Sequence, residues 1–174
     1  MIKLLKKQKN SNFGFTLVET FVAIVILMIA VTGPMTLFSN SISDGVYAKN
    51  QVTASYLAQE GLELVINLRD SNIRNGNDWL NGLSVCTSGP CYFSDVGQTF
   101  SSCGGDCPAF NLNSATGEYF YDPSYPETIF SRYITIEEIG SGDEARVISE
   151  VHWRNKSVPK SFKVDMLIFD LSIF

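Results

Sequence analysis

Gly14-Phe15-Thr16-Leu17-Val18-Glu19-Thr20-Phe21-Val22-Ala23-Ile24-Val25-Ile26-Leu27-Met28-Ile29-Ala30-Val31 is the stretch that decides how this chain folds. Its apolar run begins at Phe15 and continues to Phe38, with Thr32, Gly33, Pro34 and Thr36 inside it, which makes 24 residues. At about 1.5 Å per residue, a helix of that length spans a hydrocarbon core of about 30 Å. Gly33-Pro34 predicts a kink or a local melting, because proline removes a backbone donor and clashes with the preceding turn. Ahead of the run stand Lys3, Lys6, Lys7 and Lys9 with no acid among them. A basic flank of this kind stays in the cytoplasm, and the chain beyond the apolar segment crosses the membrane.

Glu19 separates the possible meanings of this segment. A cleaved secretory signal needs a shorter apolar core and a small-residue cleavage site, and Ser39-Asn40-Ser41-Ile42-Ser43 is a poor version of one. An uncleaved signal anchor explains the lysines and the apolar run but gives Glu19 nothing to do beyond reaching for the headgroups. A carboxylate deep in a membrane costs about 2.5–3.5 kcal/mol on insertion scales, and a group that expensive usually has a partner and a task.

Gly14-Phe15-Thr16-Leu17-Val18-Glu19 resembles the class III signal of type IV prepilins and type II secretion pseudopilins. The resemblance implies cleavage by a membrane aspartyl peptidase after Gly14, on the cytoplasmic face, and N-methylation of the new first residue, Phe15. Cleavage there removes the lysines and leaves the anchor intact. Glycine at the cut offers a bare backbone to a narrow cleft. The amine created at Phe15, with an ordinary pKa of about 7.7–8.0, is cationic and stays protonatable when methylated. A neighbouring subunit's Glu19 can pair with it in a low-dielectric bundle. Leaving either charge buried alone costs about 3–5 kcal/mol, so the pair can set the axial register of subunits.

The remainder of the chain reads as a head domain. The 174 residues fit one modest domain plus an appendage. The composition, 45% hydrophobic and 18% charged, excludes a disordered chain. The net charge is −5, and setting aside the four leader lysines leaves −9 on the rest. An acidic head argues against binding nucleic acid through its backbone charge, although Arg69, Arg74 and Arg132 are candidates for a local basic cluster.

After polar residues 39–50, Ala54, Leu57, Ala58, Gly61, Leu64, Val65 and Leu68 follow helical spacing. One helix from Phe15 to Asp70 is expected, its second half laying this stripe on a core. The segment Tyr56 to Glu63 resembles minor pilins and pseudopilins more than major ones. Residues 71–127 are rich in Asn, Ser, Gly and Pro, and Asn75-Gly76-Asn77, Ser88-Gly89-Pro90 and Gly104-Gly105-Asp106 signal turns. Irregular loops are expected here, with short strands near 91–93 and 119–121. Residues 128–139, 146–153 and 161–171 alternate apolar and polar and predict a three-stranded antiparallel meander. The fold class that results is α+β and pilin-like: a long N-terminal helix, transmembrane in its first half and amphipathic in its second, on a small antiparallel sheet. Its parts are a leader (1–14), a transmembrane and filament-core helix (15–38), an amphipathic continuation (39–70), a variable loop region (71–127) and the meander (128–174).

Cys86, Cys91, Cys103 and Cys107 all lie on the side placed outside the cytoplasm. An even number in an oxidising compartment suggests disulfides, with local Cys86–Cys91 and Cys103–Cys107 loops the simplest of three pairings. Free thiols and a zinc site are the alternatives, and the C-x4-C and C-x3-C spacings suit zinc poorly. Asp122, Glu127, Glu137, Glu138, Asp143 and Glu144 lack calcium-loop spacing and read as a solvated surface. The single histidine, His152, falls on the solvent parity of its strand. No nucleophile–base pair, metal set or phosphate loop emerges, so no enzyme activity and no cofactor are expected.

The expected function is that of a minor pilin-like filament subunit. Its partners would be the prepilin peptidase/methyltransferase, other pilin or pseudopilin subunits, the inner-membrane assembly platform and the cytoplasmic membrane. It would sit with its N-terminus in the cytoplasm and its head outside, then move into a surface filament. A type II secretion minor pseudopilin and an anchored adhesin or DNA-uptake head are the competing readings.

Overall fold

The computed structural model of the protein describes residues 14, 16–140, 142–155 and 157–171. The chain divides at Gly45 into two compact units. The first contains the start of the long helix α1 (Leu17–Arg74), whose apolar side chains are exposed. Thr16 starts that helix: its Oγ1 accepts the Glu19 backbone N–H at 3.3 Å. Pro34 sits inside α1 and the helix continues through it, so the expected local melting does not occur. One missing backbone donor is too small a loss to interrupt a cooperative helix carried on by the turns on either side.

The second unit, from Val46 onward, is the head, and in it α1 packs against a seven-stranded antiparallel sheet. The sheet contains β1 (Cys91–Ser94), β2 (Thr99–Ser102), β3 (Ala109–Asn113), β4 (Glu118–Phe120), β5 (Glu127–Ile139), β6 (Glu144–Asn155) and β7 (Val158–Phe169). A short helix, α2 (Ser84–Thr87), precedes β1. The expected meander is β5-β6-β7, paired in unbroken register from Ser131↔His152 to Ile139↔Glu144 and from Glu144↔Phe169 to Asn155↔Val158. The other edge of β5 is shared by β3 near Ser131 and β1 at Ile134. Residues 71–127 are therefore more ordered than expected, with four strands and a helix extending the sheet.

Helix α1 ends at Arg74 rather than Asp70. Gly76 adopts φ +70 and donates to Ile73 O at 3.1 Å, while the Asn77 N–H reaches Asn72 O at 2.9 Å. This is the Schellman termination that a glycine after a helix makes cheap. Buried Asn72 then ties the next turn down through its Nδ2, which donates to Asn81 O at 2.7 Å and Trp79 O at 3.3 Å.

Alternation on the strands selects the core face. Phe130, Arg132, Ile134 and Ile136 of β5 are buried, as are Ala145, Val147, Ser149, Val151 and Trp153 of β6. Two apolar clusters result. Val65, Trp79, Leu83, Ile134, Ile136, Val147 and Ile168 belong to one. Ala54, Leu57, Ala58, Phe110, Phe130, Val151 and Trp153 belong to the other. Arg132 sits between Phe130 and Ile134 on the same face, Ser149 between Val147 and Val151, and Gly61 between Ala58 and Val65 on the helix. These three residues form a polar seam where the two clusters meet.

The helix backbone approaches the sheet's side chains closely at that seam. A Cβ at Gly61 would lie 2.5 Å from Ser149 Oγ and 2.9 Å from Arg132 Cδ. Gly61→Ala is expected to destabilise the head by about 1–3 kcal/mol through overpacking. Adding Ser149→Ala removes the nearer clash and should recover part of the loss. Urea unfolding of the two variants measures both effects, and additive losses would mean that the contact at Ser149 is not the cause.

Candidate functional site

The candidate assembly segment begins at Gly14, which is exposed and has nothing within 4 Å of the place a Cβ would take. Phe15, the expected methylation site, lies outside the described residues. Glu19 stands in the first turn of α1 with its side chain exposed. Thr16-Leu17-Val18-Glu19 has the spacing of a capping box, and the bond from the Glu19 N–H to Thr16 is the half of it that holds the helix start. A carboxylate in the first turn also complements the positive end of the helix dipole. Sequence reasoning treated Glu19 only as an assembly residue; the T-x-x-E spacing carried this second role in plain view.

Helix α1 is long and apolar enough to cross a membrane, with a mean hydropathy of 2.4 in its most apolar window. Leu17 to Phe38 rises about 33 Å, enough for a hydrocarbon core. Ile26, Leu27, Met28, Ile29, Leu37 and Phe38 are each more than half exposed. A surface this apolar is suited to a nonaqueous surrounding such as lipid or other helices.

The four cysteines form two disulfides, Cys86–Cys91 and Cys103–Cys107, so neither free thiols nor a thiolate zinc site is present among them. Cys86 and Cys91 are fully buried in the first apolar cluster, where their bond joins α2 to β1. Cys103 and Cys107 close the loop between β2 and β3, with Cys107 buried and Cys103 half-buried.

The three arginines do not make a basic patch. Arg132 is buried, and its Nη1 donates to Leu57 O at 2.9 Å and to Glu60 Oε2 at 3.0 Å. Its guanidinium lies 5.0 Å from the Phe110 ring, which stacks on Tyr121 at 4.7 Å. Arg69 is bonded to Asp70 at 2.6 Å, and only Arg74 points freely outward. Burial pushes the Tyr121 phenol well above its ordinary pKa, against a smaller opposing pull from Arg132. Asp122 is held below the usual carboxylate range by hydrogen bonds from the Ser124 backbone and side chain. His152 is exposed as expected, with Nε2 3.0 Å from Glu150 Oε1 and its ring 4.5 Å from that of Tyr133.

These features define an α+β head carrying a helix suited to a membrane. Compared with family models, curated proteins and solved structures, the chain matches none.

The two disulfides should differ in their contribution. Each closes a short loop, for which chain entropy predicts about 2 kcal/mol. Replacing Cys86 and Cys91 by alanine also empties buried core positions, so that pair should lower the melting temperature more than the Cys103/Cys107 double alanine variant. Thermal melts followed by circular dichroism compare the two. Equal losses would show that the core packing of Cys86 and Cys91 contributes nothing.

Proposed function

We propose that the chain is a minor pilin-like structural subunit, processed by a prepilin peptidase at Gly14/Phe15 and assembled at the cytoplasmic membrane into a type IV pilus or a related filament. The observation that carries this reading is Gly14-Phe15-Thr16-Leu17-Val18-Glu19 set directly ahead of an exposed apolar helix. A plain signal anchor needs the apolar helix but neither the glycine nor the glutamate. In this role the Leu17–Phe38 segment first holds the subunit in the membrane, then trades lipid for the same segments of neighbouring subunits. The trade needs no large hydrophobic gain, because both surroundings are apolar, and it is steered by packing and by polar groups. Glu19 supplies the polar group, with the amine of a neighbouring Phe15 as its partner. The chain acts as the substrate of a peptidase and methyltransferase, not as an enzyme. The same motif serves a type II secretion minor pseudopilus, which differs in the machinery it is assembled by.

Intact mass and amino-terminal sequencing of the protein from native membranes test the proposal. The expected start is methylated Phe15, abolished by Gly14→Arg; a start at Met1 in cells with active prepilin peptidase rules processing out. Glu19→Gln separates the two roles of Glu19, since glutamine also serves in a capping box but carries no charge. The variant should be processed normally yet be lost from sheared filaments. Normal incorporation would rule out the charge pair.

A further inference from the structure

The two disulfides lie against one another. Cys103 directly follows Ser102, which stands opposite Cys91 in the β1–β2 ladder. The Cys103 backbone N–H donates to Pro90 O at 3.1 Å, and its Sγ lies 3.2 Å from the same oxygen. Cys107 Sγ lies 3.9 Å from Cys91 O. The staple of the β2–β3 loop therefore rests on the Pro90–Cys91 backbone, and Cys91 is half of the other disulfide.

Access to the four sulfurs is unequal. Cys86 and Cys91 are 0% exposed and Cys107 is 3% exposed, whereas Cys103 is half-buried. Gly104, Gly105 and Asp106 beside it are exposed, and a Cβ at either glycine would meet nothing within 4 Å beyond its chain neighbours. Exchange requires a thiolate to reach a sulfur, so a thiol in the medium meets this molecule at Cys103. The Cys86–Cys91 bond has no such approach of its own.

We propose that the exposed disulfide is the redox gate of the buried one: electrons enter and leave Cys86–Cys91 through Cys103–Cys107. A thiolate of an external dithiol bonds to Cys103 Sγ, the Cys103–Cys107 bond breaks and Cys107 leaves as a thiolate. The second thiol of the reagent then displaces Cys103. Cys107 attacks Cys91 Sγ, and Cys86 leaves as a thiolate that takes a proton. Cys103 attacks Cys107, which restores Cys103–Cys107 and frees the Cys91 thiol. In sum the dithiol is oxidised to its disulfide and Cys86–Cys91 is reduced to two thiols. The same route in reverse carries a disulfide from an external donor into the core. Opening the buried bond unties α2 from β1 inside the first apolar cluster, so the head responds to thiols that never reach its core. No residue of the Gly14–Glu19 segment takes part, and the device does not depend on how the chain is processed or assembled.

The full-length Cys86→Ser variant, in detergent and verified as folded by circular dichroism, tests the transfer. It leaves Cys91 as a buried free thiol beside an intact Cys103–Cys107. Exchange forms Cys91–Cys107 and releases Cys103 at the surface, where a maleimide captures it. The expected peptide map shows label on Cys103 and a Cys91–Cys107 linkage. No label, or label on Cys91 with Cys103–Cys107 intact, overturns the proposal. Cys86→Ala gives the same reading should serine disturb the core. In the unsubstituted chain, dithiothreitol under native conditions should reduce Cys86–Cys91 at least about tenfold faster than in Cys103→Ser/Cys107→Ser, which has no route inward. Equal rates, or a difference that persists in urea that unfolds both proteins, also overturn it.

Discussion

The meeting of α1 and the sheet at Gly61 is the contact on which the rest of the head depends. A helix backbone can approach a sheet this closely only where no Cβ intervenes, and here the space is taken by Ser149 Oγ and the Arg132 stem. The guanidinium then reaches the helix itself, bonding Leu57 O and Glu60. A helix carbonyl keeps a second lone pair after its own backbone bond, so Leu57 can accept without breaking a turn. Sliding α1 by one turn would bring Leu57 or Leu64 over Ser149 and withdraw Glu60 from Arg132. The seam thus specifies one register, at a cost: Arg132 Nε and Ser149 Oγ are buried with no hydrogen-bond partner among the described residues. The two apolar clusters on either side supply the burial that offsets it.

Helix α1 meets two different demands within one element. In its first part apolar side chains are exposed on every side, so the segment is suited to lipid or to other helices. From Ala54 onward the apolar residues narrow to a stripe and the opposite face, with Gln59, Glu63 and Asn67, stays in water. The stripe is what the sheet packs against; the all-round apolar part belongs to the other unit, where its side chains are exposed. Thr16 and Gly76 bound the helix by the two means backbone chemistry offers, an accepting side chain at the start and a left-handed residue after the end.

Much of this was legible in the chain. Spacing of Ala54, Leu57, Ala58, Gly61 and Val65 marked the buried stripe, and alternation over 128–139 and 146–153 marked the two central strands. Both signals are strong because they are long and repeat. The strands β2 and β3 were not legible. Thr99-Phe100-Ser101-Ser102 has one apolar residue, and Ala109-Phe110-Asn111-Leu112-Asn113 carries two asparagines, which disfavour strands. β2 is held by its hairpin with β1, and β3 by its hairpin with β4 and by pairing with β5, so pairing rather than composition makes them strands. Arg132 was misread for a similar reason. Its charge suggested a surface, while its parity with Phe130 and Ile134 already placed it on the core face.

By itself, then, the sequence determined what depends on neighbours along the chain: the apolar span, the lysines ahead of it, the run from Gly14 to Glu19, the helix stripe and the meander. Local periodicity and local turn chemistry are sufficient for each. Only the tertiary structure decided that Arg132 turns inward to Leu57 and Glu60, and that β3 and β1 share one edge of β5. Those are encounters between residues far apart in the chain, set by how the sheet is ordered and where the helix crosses it, and no single segment carries a record of them.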